Sequence, residues 1–339
     1  MKQAVMIEPG VIVFRDVPVP SVGDGDVKVK MKRIGICGSD IHVNHGKHPY
    51  TSYPVVQGHE VSAEVVEVGV AVSGLKPGDK VTIQPQLVCG TCYPCTHDQY
   101  NACESLEVHG FQTTGMASDY FVICAERVTK LPDDISFDHG AMIEPIAVCV
   151  HAIRRYGDVK DKSVLVLGGG PIGNLMGQCC KAMGAKNVLL SELSEFRLEV
   201  AKKCGIKTVN PREESLKEAM NSTFGPDGAD VIFECVGVGE TITQAIEYAR
   251  KGSDIVVVGV FAEMTNINLG FVQDKELRLI GTAMFREYAF IEAIDLVGQG
   301  LINLDALITN HVPFDDFASA YKLIDEQMDK AMKVMIVMD

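Results

Sequence analysis

The sequence predicts an α/β protein, with a β-rich N-terminal domain followed by a doubly wound parallel sheet. Two observations support this fold class. Residues 1 to about 145 contain short β-branched runs broken by glycine and proline, as compact all-β domains do. From about Lys162, strand-like apolar runs alternate with helical stretches, as βαβ units require.

Each strand is expected from a short apolar run. In the first part of the chain the expected strands are Val27–Met31, Ser62–Gly69 and Lys80–Ile83. In the second part they are Val164–Leu167, Asn187–Leu190, Val231–Glu234 and Ile255–Val258. The chain returns to mixed character after about Arg286 and closes on an apolar strand, Val334–Val337.

Composition excludes several classes of partner. Lysine and arginine number 31 against 45 aspartates and glutamates, so the formal charge is −14, which disfavours nucleic acid and anionic membranes.

No apolar run approaches a membrane span, and the N-terminus lacks a signal-peptide pattern. Seven of the 11 cysteines are scattered, as in a reducing compartment. We expect a cytoplasmic protein.

Four cysteines form a cluster with metal-ligand spacing. They read C-x2-C-x2-C-x7-C and are Cys89, Cys92, Cys95 and Cys103. Four thiolates so close in sequence can surround one Zn²⁺ tetrahedrally. A closed set of four protein ligands leaves no position for a substrate, so this zinc site is expected to be structural.

A glycine-rich turn follows the strand at Val164–Leu167 and opens a helix. It satisfies G-x-G-x-x-G, and its candidate cofactor-binding residues are Gly168, Gly170, Pro171, Ile172 and Gly173. Such a turn presents free N–H groups to a dinucleotide pyrophosphate. Glu192 ends the next strand, where an acid binds the ribose 2′-OH. We therefore expect NAD rather than NADP, with some tolerance for NADP from the nearby Arg197.

Three separate segments each carry a potential ligand for a catalytic metal. Cys37 lies in Gly-Ile-Cys-Gly-Ser-Asp-Ile-His, His59 and Glu60 lie in Gln-Gly-His-Glu, and Glu144 precedes Pro145. A thiolate, an imidazole and a carboxylate with an open fourth position make up a catalytic zinc site. Taken singly, each residue has an ordinary structural explanation, so spacing alone leaves this site open.

These segments together resemble the zinc-containing medium-chain dehydrogenase/reductase family, and within it the sorbitol (polyol) dehydrogenase branch. The similarity runs from end to end, and the stretch Ile143-Glu144-Pro145-Ile146-Ala147-Val148-Cys149-Val150-His151-Ala152 is its most diagnostic part. The resemblance implies a GroES-like catalytic domain over residues 1–148 with the zinc lobe at 86–104. It further implies a Rossmann NAD-binding domain over 149–285 and a C-terminal return over 286–339, with the active site in the cleft between domains.

The resemblance also implies roles for individual residues. Cys37 and His59 would bind the catalytic zinc, either Glu60 or Glu144 would be the third ligand, and Asp40 would orient His59. Asp40 also suits a helix N-terminus, and the two roles are compatible. One departure from the family signature is Ala63, where glycine is usual; a local backbone adjustment is expected there.

The implied chemistry is hydride transfer from a substrate hydroxyl carbon to the nicotinamide. The catalytic residues would be Ser39, His42 and Glu144. Ser39 would accept a hydrogen bond from the hydroxyl and pass the proton onward, and the ribose hydroxyls and His42 would carry it to solvent. A surface histidine is an equally ordinary reading of His42. Glu144 would hold a water where it is not itself a ligand.

The substrate is expected to be polyhydroxylated, either a polyol or a sugar acid such as a hexonate. Tyr50 and Arg286 occupy positions that line the cleft in relatives, and a guanidinium can grip a carboxylate. Alternatives are a simple secondary alcohol or L-threonine as substrate, or a non-enzymatic nucleotide-binding relative. The resemblance implies a homodimer or homotetramer, with no nucleic-acid or membrane partner.

Overall fold

The computed structural model describes residues 1–338, without the side chain of Met328. The chain divides into two compact units. Unit 1 contains Met1–Glu144 together with the chain from Ile308 onward, and unit 2 contains Pro145–Leu307.

Strands and helices are numbered along the chain. The strands are β1 (Lys2–Glu8), β2 (Val11–Asp16), β3 (Asp26–Gly35), β4 (Glu60–Val68), β5 (Lys80–Ile83), β6 (Gln86–Leu87), β7 (Glu107–Val108), β8 (Tyr120–Cys124), β9 (Val128–Lys130), β10 (Ser163–Leu167), β11 (Asn187–Ser191), β12 (Lys207–Val209), β13 (Val231–Glu234), β14 (Asp254–Val257), β15 (Arg278–Gly281), β16 (Ile308–Pro313) and β17 (Lys333–Val337). The α-helices are α1 (Gly38–Asn44), α2 (Tyr93–Thr96), α3 (Phe137–Ala141), α4 (Ile143–Tyr156), α5 (Pro171–Ala182), α6 (Glu195–Lys203), α7 (Leu216–Phe224), α8 (Gly239–Tyr248), α9 (Leu269–Asp274), α10 (Glu287–Gly298) and α11 (Phe317–Gln327).

Unit 1 is built on a mostly antiparallel sheet around the long strand β3. The strand order is β16-β17-β3-β4-β5-β9, and β8 also pairs with β3. Every second side chain of β3 from Val27 to Met31 is fully buried, because successive side chains of a strand point to opposite faces. The last strand of the chain, β17, pairs antiparallel with β3, so the C-terminal segment completes this core.

The pairing of β3 with β4 contains irregularities. One register shift lies where Met31 pairs with Ala63 and Arg33 pairs with Ser62. Such a bulge bends a strand and re-aims its side chains. The irregularity lies beside Ala63, the position at which the sequence departs from the family signature.

Unit 2 is a doubly wound parallel sheet, as the sequence predicts. Its strand order is β12-β11-β10-β13-β14-β15, and all neighbouring strands are parallel. This is the order 3-2-1-4-5-6 of dinucleotide-binding sheets. The central strands β10 and β13 are buried along their whole length, which explains their mostly apolar sequences.

The compact units change over at residues 144 and 307. The domain boundaries that the sequence predicts, after residues 148 and 285, remain predictions. Of the helices that the structure describes, none combines the length and apolar character that crossing a membrane requires.

A lysine caps one helix of unit 2. The ammonium of Lys275 donates to the carbonyls of Ile246, Glu247 and Ala249 at 2.8, 2.7 and 3.1 Å. These carbonyls lie at the C-terminal end of α8, where helical partners are missing and a cation is favourable.

We expect Lys275→Met to lower the free energy of unfolding of this unit by about 1–2 kcal/mol, because three carbonyls lose their donor. Urea unfolding followed by circular dichroism measures the change. Lys251→Met is the matched control, since the exposed pair of Lys251 with Asp274 contributes at most about 1 kcal/mol. Equal midpoints for the two variants would contradict the capping role.

Candidate active site

Strand pairing brings two of the three predicted ligand segments together. Gly35, the last residue of β3, pairs with Glu60, the first residue of β4. Cys37 follows β3 by two residues and precedes α1. A side chain at position 35 would collide with the Glu60 carboxylate, so the glycine makes room for it.

Cys37, His59 and Glu60 form a group of potential metal ligands. Each offers one ligand atom, and the three atoms lie within 4.8 Å of one another. His59 and Glu60 are buried, and Cys37 is partly buried. A thiolate, an imidazole nitrogen and a carboxylate oxygen are the donors that zinc takes in catalytic sites. The residues present therefore fit a zinc ion with one open position.

The charge of Glu60 is balanced by a lysine from the C-terminal strand. The Lys333 ammonium lies 2.5 Å from Glu60 Oε2 and donates to the carbonyl of Ile36 at 3.1 Å. Both side chains are almost completely buried. Burial lowers the pKa of Lys333, but Glu60 and Cys37 raise it more, so that its pKa lies above the usual value and the ammonium persists.

Lys333 was not predicted from the sequence as part of this site. The sequence feature that could have indicated its role is the presence of a lysine at the first position of an otherwise apolar strand. A charged residue in such a place needs a buried partner of opposite charge, but the sequence does not show which carboxylate provides it.

Asp40 lies against His59 and also stabilises the start of α1. Its Oδ2 accepts the N–H of Cys37 at 2.9 Å, and its Oδ1 lies 3.6 Å from His59 Nδ1. Burial lowers the pKa of His59, but Asp40 and a hydrogen bond with Cys37 raise it more, leaving the pKa well above the usual value. The contacts suit both roles considered for Asp40.

Glu144 lies in the first turn of α4 and is buried. Burial raises its pKa to about 7, while the positive charge of His59 lowers it and the carboxylate of Glu60 raises it. Among the described residues, the ligand group that meets within 4.8 Å contains Glu60 and not Glu144.

The predicted proton-transfer residues lie on α1. Ser39 is partly buried in the first turn, and His42 is exposed three residues later. Residues three apart are neighbours on a helix surface. Ser39 and His42 therefore lie on one side of α1, the helix that directly follows Cys37.

Aromatic rings lead from His59 to the predicted substrate segment. Phe111 contacts His59, with ring centroids 4.8 Å apart, and stacks on His48 at 4.6 Å. His48 in turn meets Tyr50 edge-on at 6.1 Å, and Tyr50 is 72% exposed. Sequence reasoning missed Phe111, which lies in a loop with no local motif.

The four-cysteine lobe has the dimensions of a zinc site. The sulfur separations are 4.0 Å for Cys89–Cys95, 3.8 Å for Cys92–Cys103 and 3.5 Å for Cys89–Cys103. Zn–S bonds of about 2.3 Å place sulfurs of a tetrahedron about 3.8 Å apart. The backbone N–H groups of Thr91 and Cys92 point at Cys89 and lower its pKa to about 6, which favours the thiolate that zinc requires.

The glycine-rich turn in unit 2 is shaped for a dinucleotide. It joins β10 to α5, whose first residue is Pro171. A side chain at Gly173 would collide with the Gly168 carbonyl, so glycine is needed for the turn itself. The space around the Cα of Gly170 is open apart from Arg197, and it leaves access to the backbone N–H groups. The residues fit a bound pyrophosphate.

Glu192 is held at the carboxyl end of β11. Its Oε2 accepts the N–H of Gly169 at 2.7 Å, and its Oε1 accepts those of Leu193 and Ser194 at 2.6 and 2.9 Å. Arg197 Nη1 lies 3.8 Å from Glu192 Oε2. A cavity of about 440 Å³ is lined by Gly168, Gly170, Glu192 and Arg197. The acid expected at the ribose thus faces the same cavity as the glycine-rich turn.

Arg286 belongs to unit 2 and immediately precedes α10. Its guanidinium lies over the ring of Tyr288, 5.1 Å from the centroid. The Tyr288 hydroxyl is 2.8 Å from Nδ1 of His151, which is buried. Burial and the positive charge of Arg286 lower the pKa of His151 to about 4, so the histidine is neutral at pH 7.

Two protein families match the chain. The family "Alcohol dehydrogenase GroES-like domain" matches residues 23–133, and "Zinc-binding dehydrogenase" matches residues 171–299. The first match covers the candidate ligands Cys37, His59 and Glu60 and the four-cysteine lobe. The second begins inside the glycine-rich turn.

Curated relatives share about a third of the sequence over nearly the whole chain. A 2-dehydro-3-deoxy-L-galactonate 5-dehydrogenase from Pseudoalteromonas atlantica is 34% identical, over 92% of this chain and 91% of its own length. A sorbitol dehydrogenase from Halalkalibacterium halodurans is 33% identical over 96% of each. An L-threonine 3-dehydrogenase from Pyrococcus abyssi is 34% identical over 91% of this chain and 90% of its own.

Solved structures give the same result. Galactitol-1-phosphate dehydrogenase from Escherichia coli superposes with a TM-score of 0.93 at 30% identity, with 100% of each chain covered. A zinc-binding dehydrogenase from Sinorhizobium meliloti, bound to NADP, superposes with a TM-score of 0.90 at 31% identity over 99% of each chain. With both families matched, the chain belongs to the zinc-containing medium-chain dehydrogenase/reductase family and is an oxidoreductase of the alcohol and polyol dehydrogenase type.

Proposed function

We propose that this enzyme oxidises a secondary hydroxyl of a polyol or a sugar acid, such as a hexonate, and reduces NAD⁺. The products are a ketose or keto-acid, NADH and a proton. The observation that carries the proposal is the meeting of Cys37, His59 and Glu60 within 4.8 Å, in a chain whose second unit has a dinucleotide-binding turn. Relatives named for sugar-acid and sorbitol oxidation support the substrate class.

Two zinc ions per chain are proposed. One would be held by the four cysteines of the lobe, and the other by Cys37, His59 and Glu60. We assign Glu60 as the third ligand because its carboxylate joins the group of three ligand atoms. Glu144 would then hold a water. When bound, the catalytic zinc supplies a Lewis acid and NAD⁺ supplies the hydride acceptor.

The chain's own residues would handle the proton. Ser39 would accept a hydrogen bond from the substrate hydroxyl and pass its own hydroxyl proton onward as it receives the substrate's, since it lies two residues after Cys37 in the first turn of α1. His42 is exposed to solvent three residues further along the same helix and would release the proton. Asp40 would keep the His59 ring oriented through Nδ1, so that Nε2 serves as the ligand atom.

Two polar side chains support a polyhydroxy substrate. Tyr50 is an exposed side chain, and the central guanidinium carbon of Arg286 lies 5.1 Å from the centroid of the Tyr288 ring. A guanidinium can bind a carboxylate through two parallel hydrogen bonds. We propose that Arg286 binds the carboxylate of a sugar acid.

L-Threonine oxidation is the second candidate. It is favoured by relatives with that name at 34% identity from Pyrococcus abyssi and Pyrococcus furiosus. The same zinc and hydride chemistry would serve it, so only the substrate distinguishes the two candidates.

A homodimer or homotetramer is the proposed assembly. One of the two edge strands of the unit 2 sheet, β15, pairs with β14, and Leu279 on this strand is exposed. A strand edge of this kind can pair with a second chain.

We expect NADH formation with polyols or hexonates when zinc-loaded protein is assayed against matched panels of polyols, hexonates, simple alcohols and L-threonine. Each panel is run with NAD⁺ and with NADP⁺. Cys37→Ser should lower kcat/KM by at least about 100-fold, because loss of a ligand exceeds the 10- to 100-fold effect of losing a group that merely supports one.

Cys124→Ser is the matched control for this experiment, since Cys124 is an exposed free cysteine of the same unit. It should retain full activity. Turnover confined to simple alcohols or to threonine would contradict the polyhydroxy substrate. Equal activity of the two cysteine variants would contradict the catalytic metal site.

We expect Glu192→Gln to raise KM for NAD⁺ by about 10- to 100-fold, because a charged hydrogen bond contributes about 1.5–3 kcal/mol. The variant should also lose discrimination against NADP⁺, since the carboxylate no longer repels the 2′-phosphate. Steady-state kinetics with both cofactors measures the ratio of kcat/KM values.

Glu199→Gln is the control for the cofactor experiment. Glu199 lies on α6 and pairs with Lys202 at the surface. It has no proposed role in cofactor binding at the glycine-rich turn. An unchanged NAD⁺-to-NADP⁺ ratio in Glu192→Gln would show that Glu192 does not select the cofactor.

A further inference from the structure

We propose that Tyr321 and Gln57 are positioning residues for the catalytic zinc, holding Asp40 in the place from which it orients His59. This inference rests on the proposed function, because it takes Cys37, His59 and Glu60 as zinc ligands. It assigns a role to the C-terminal helix α11, which carries Tyr321.

A continuous chain of contacts links α11 to the candidate metal site. The Tyr321 hydroxyl donates to Gln57 Oε1 at 2.7 Å. Gln57 Nε2 donates to Asp40 Oδ1 at 3.1 Å and to the Asp40 carbonyl at 3.2 Å. Asp40 Oδ1 is in turn 3.6 Å from His59 Nδ1. Tyr321 and Gln57, which are 264 positions apart in sequence, are thus in contact, and Gln57 connects Tyr321 to the aspartate beside His59.

The chemistry of these groups allows one orientation of the Gln57 amide. A carboxylate only accepts hydrogen bonds, so the amide nitrogen must face Asp40. The amide oxygen then faces Tyr321, whose hydroxyl is the donor. The reverse orientation would place two acceptors against each other at Asp40.

Burial makes each of these contacts matter. Asp40, Gln57, His59 and Tyr321 are exposed by 1, 3, 4 and 3% respectively. Water cannot replace a lost partner at such depth, so an orphaned donor or acceptor is costly. The ring of Tyr321 packs against Phe317 with centroids 6.0 Å apart, and the Gln57 carbonyl accepts the N–H of Ala117 at 2.9 Å. Both ends of the contact are anchored.

Asp40 depends on Gln57 more than on His59. The 3.6 Å separation between Asp40 and His59 is longer than a hydrogen bond. The carboxylate is held instead by the N–H of Cys37 on Oδ2 and by Gln57 on Oδ1. Removing the Gln57 amide leaves Asp40 fixed on one oxygen only, which loosens the group that orients a zinc ligand.

The test is zinc release from zinc-loaded protein into excess chromogenic chelator, for wild type, Tyr321→Phe, Gln57→Leu and the double variant. We expect release of one of the two zinc ions to be about 10- to 100-fold faster in the variants, the range for groups that support metal ligands. Release from the four-cysteine lobe should be unchanged. Because Tyr321 acts through Gln57, the double variant should release zinc no faster than Gln57→Leu.

Tyr248→Phe, in unit 2, is the matched control and should release both ions as wild type does. Tyr321→Phe removes only a hydroxyl group from the core. This variant therefore still tests the proposal if Gln57→Leu folds poorly. Wild-type rates in Tyr321→Phe, or equal loosening of both ions, would overturn the positioning role alone. A wild-type protein that holds only the lobe zinc would overturn the catalytic site and this role with it.

Discussion

The pairing of β3 with β4 is the constraint on which the candidate active site depends. It sets Gly35 opposite Glu60, so the residues after one strand meet the residues that begin the other. A slip of one residue would reverse every side chain of a strand and separate Cys37 from His59. The bare backbone at Gly35 leaves the space that the Glu60 carboxylate fills.

Charge balance extends this constraint to the end of the chain. Glu60 cannot be buried alone, because an isolated carboxylate in an apolar interior is very costly. Lys333 supplies the opposite charge from β17, which itself pairs with β3. Within unit 1, packing of the C-terminal segment against residues 1–144 therefore completes the site both electrostatically, through Lys333, and by hydrogen bonding, through Tyr321.

Local patterns in the sequence predict the fold class and the sites that lie within one segment. The four cysteines fall inside fifteen residues, and the glycine-rich turn directly follows its strand. Spacing alone therefore indicates zinc binding by the cysteines and dinucleotide binding by the turn. Lys333, Tyr321 and Phe111 could not be predicted in this way, because each reaches its place through tertiary packing from a distant segment. At Ala63 the departure from the signature predicts a local backbone adjustment, but not the register shift that lies beside this residue.

The sequence left Glu60 and Glu144 as alternative third ligands of the catalytic zinc, and the geometry favours Glu60. Anomalous diffraction at the zinc edge, from crystals of zinc-loaded protein, tests this assignment most directly. The lobe ion is the internal control for metal loading. The expected result is a second peak within bonding distance of Cys37, His59 and Glu60. A second peak bound by Glu144 in place of Glu60, or no peak beyond the lobe, would contradict the proposed metal site.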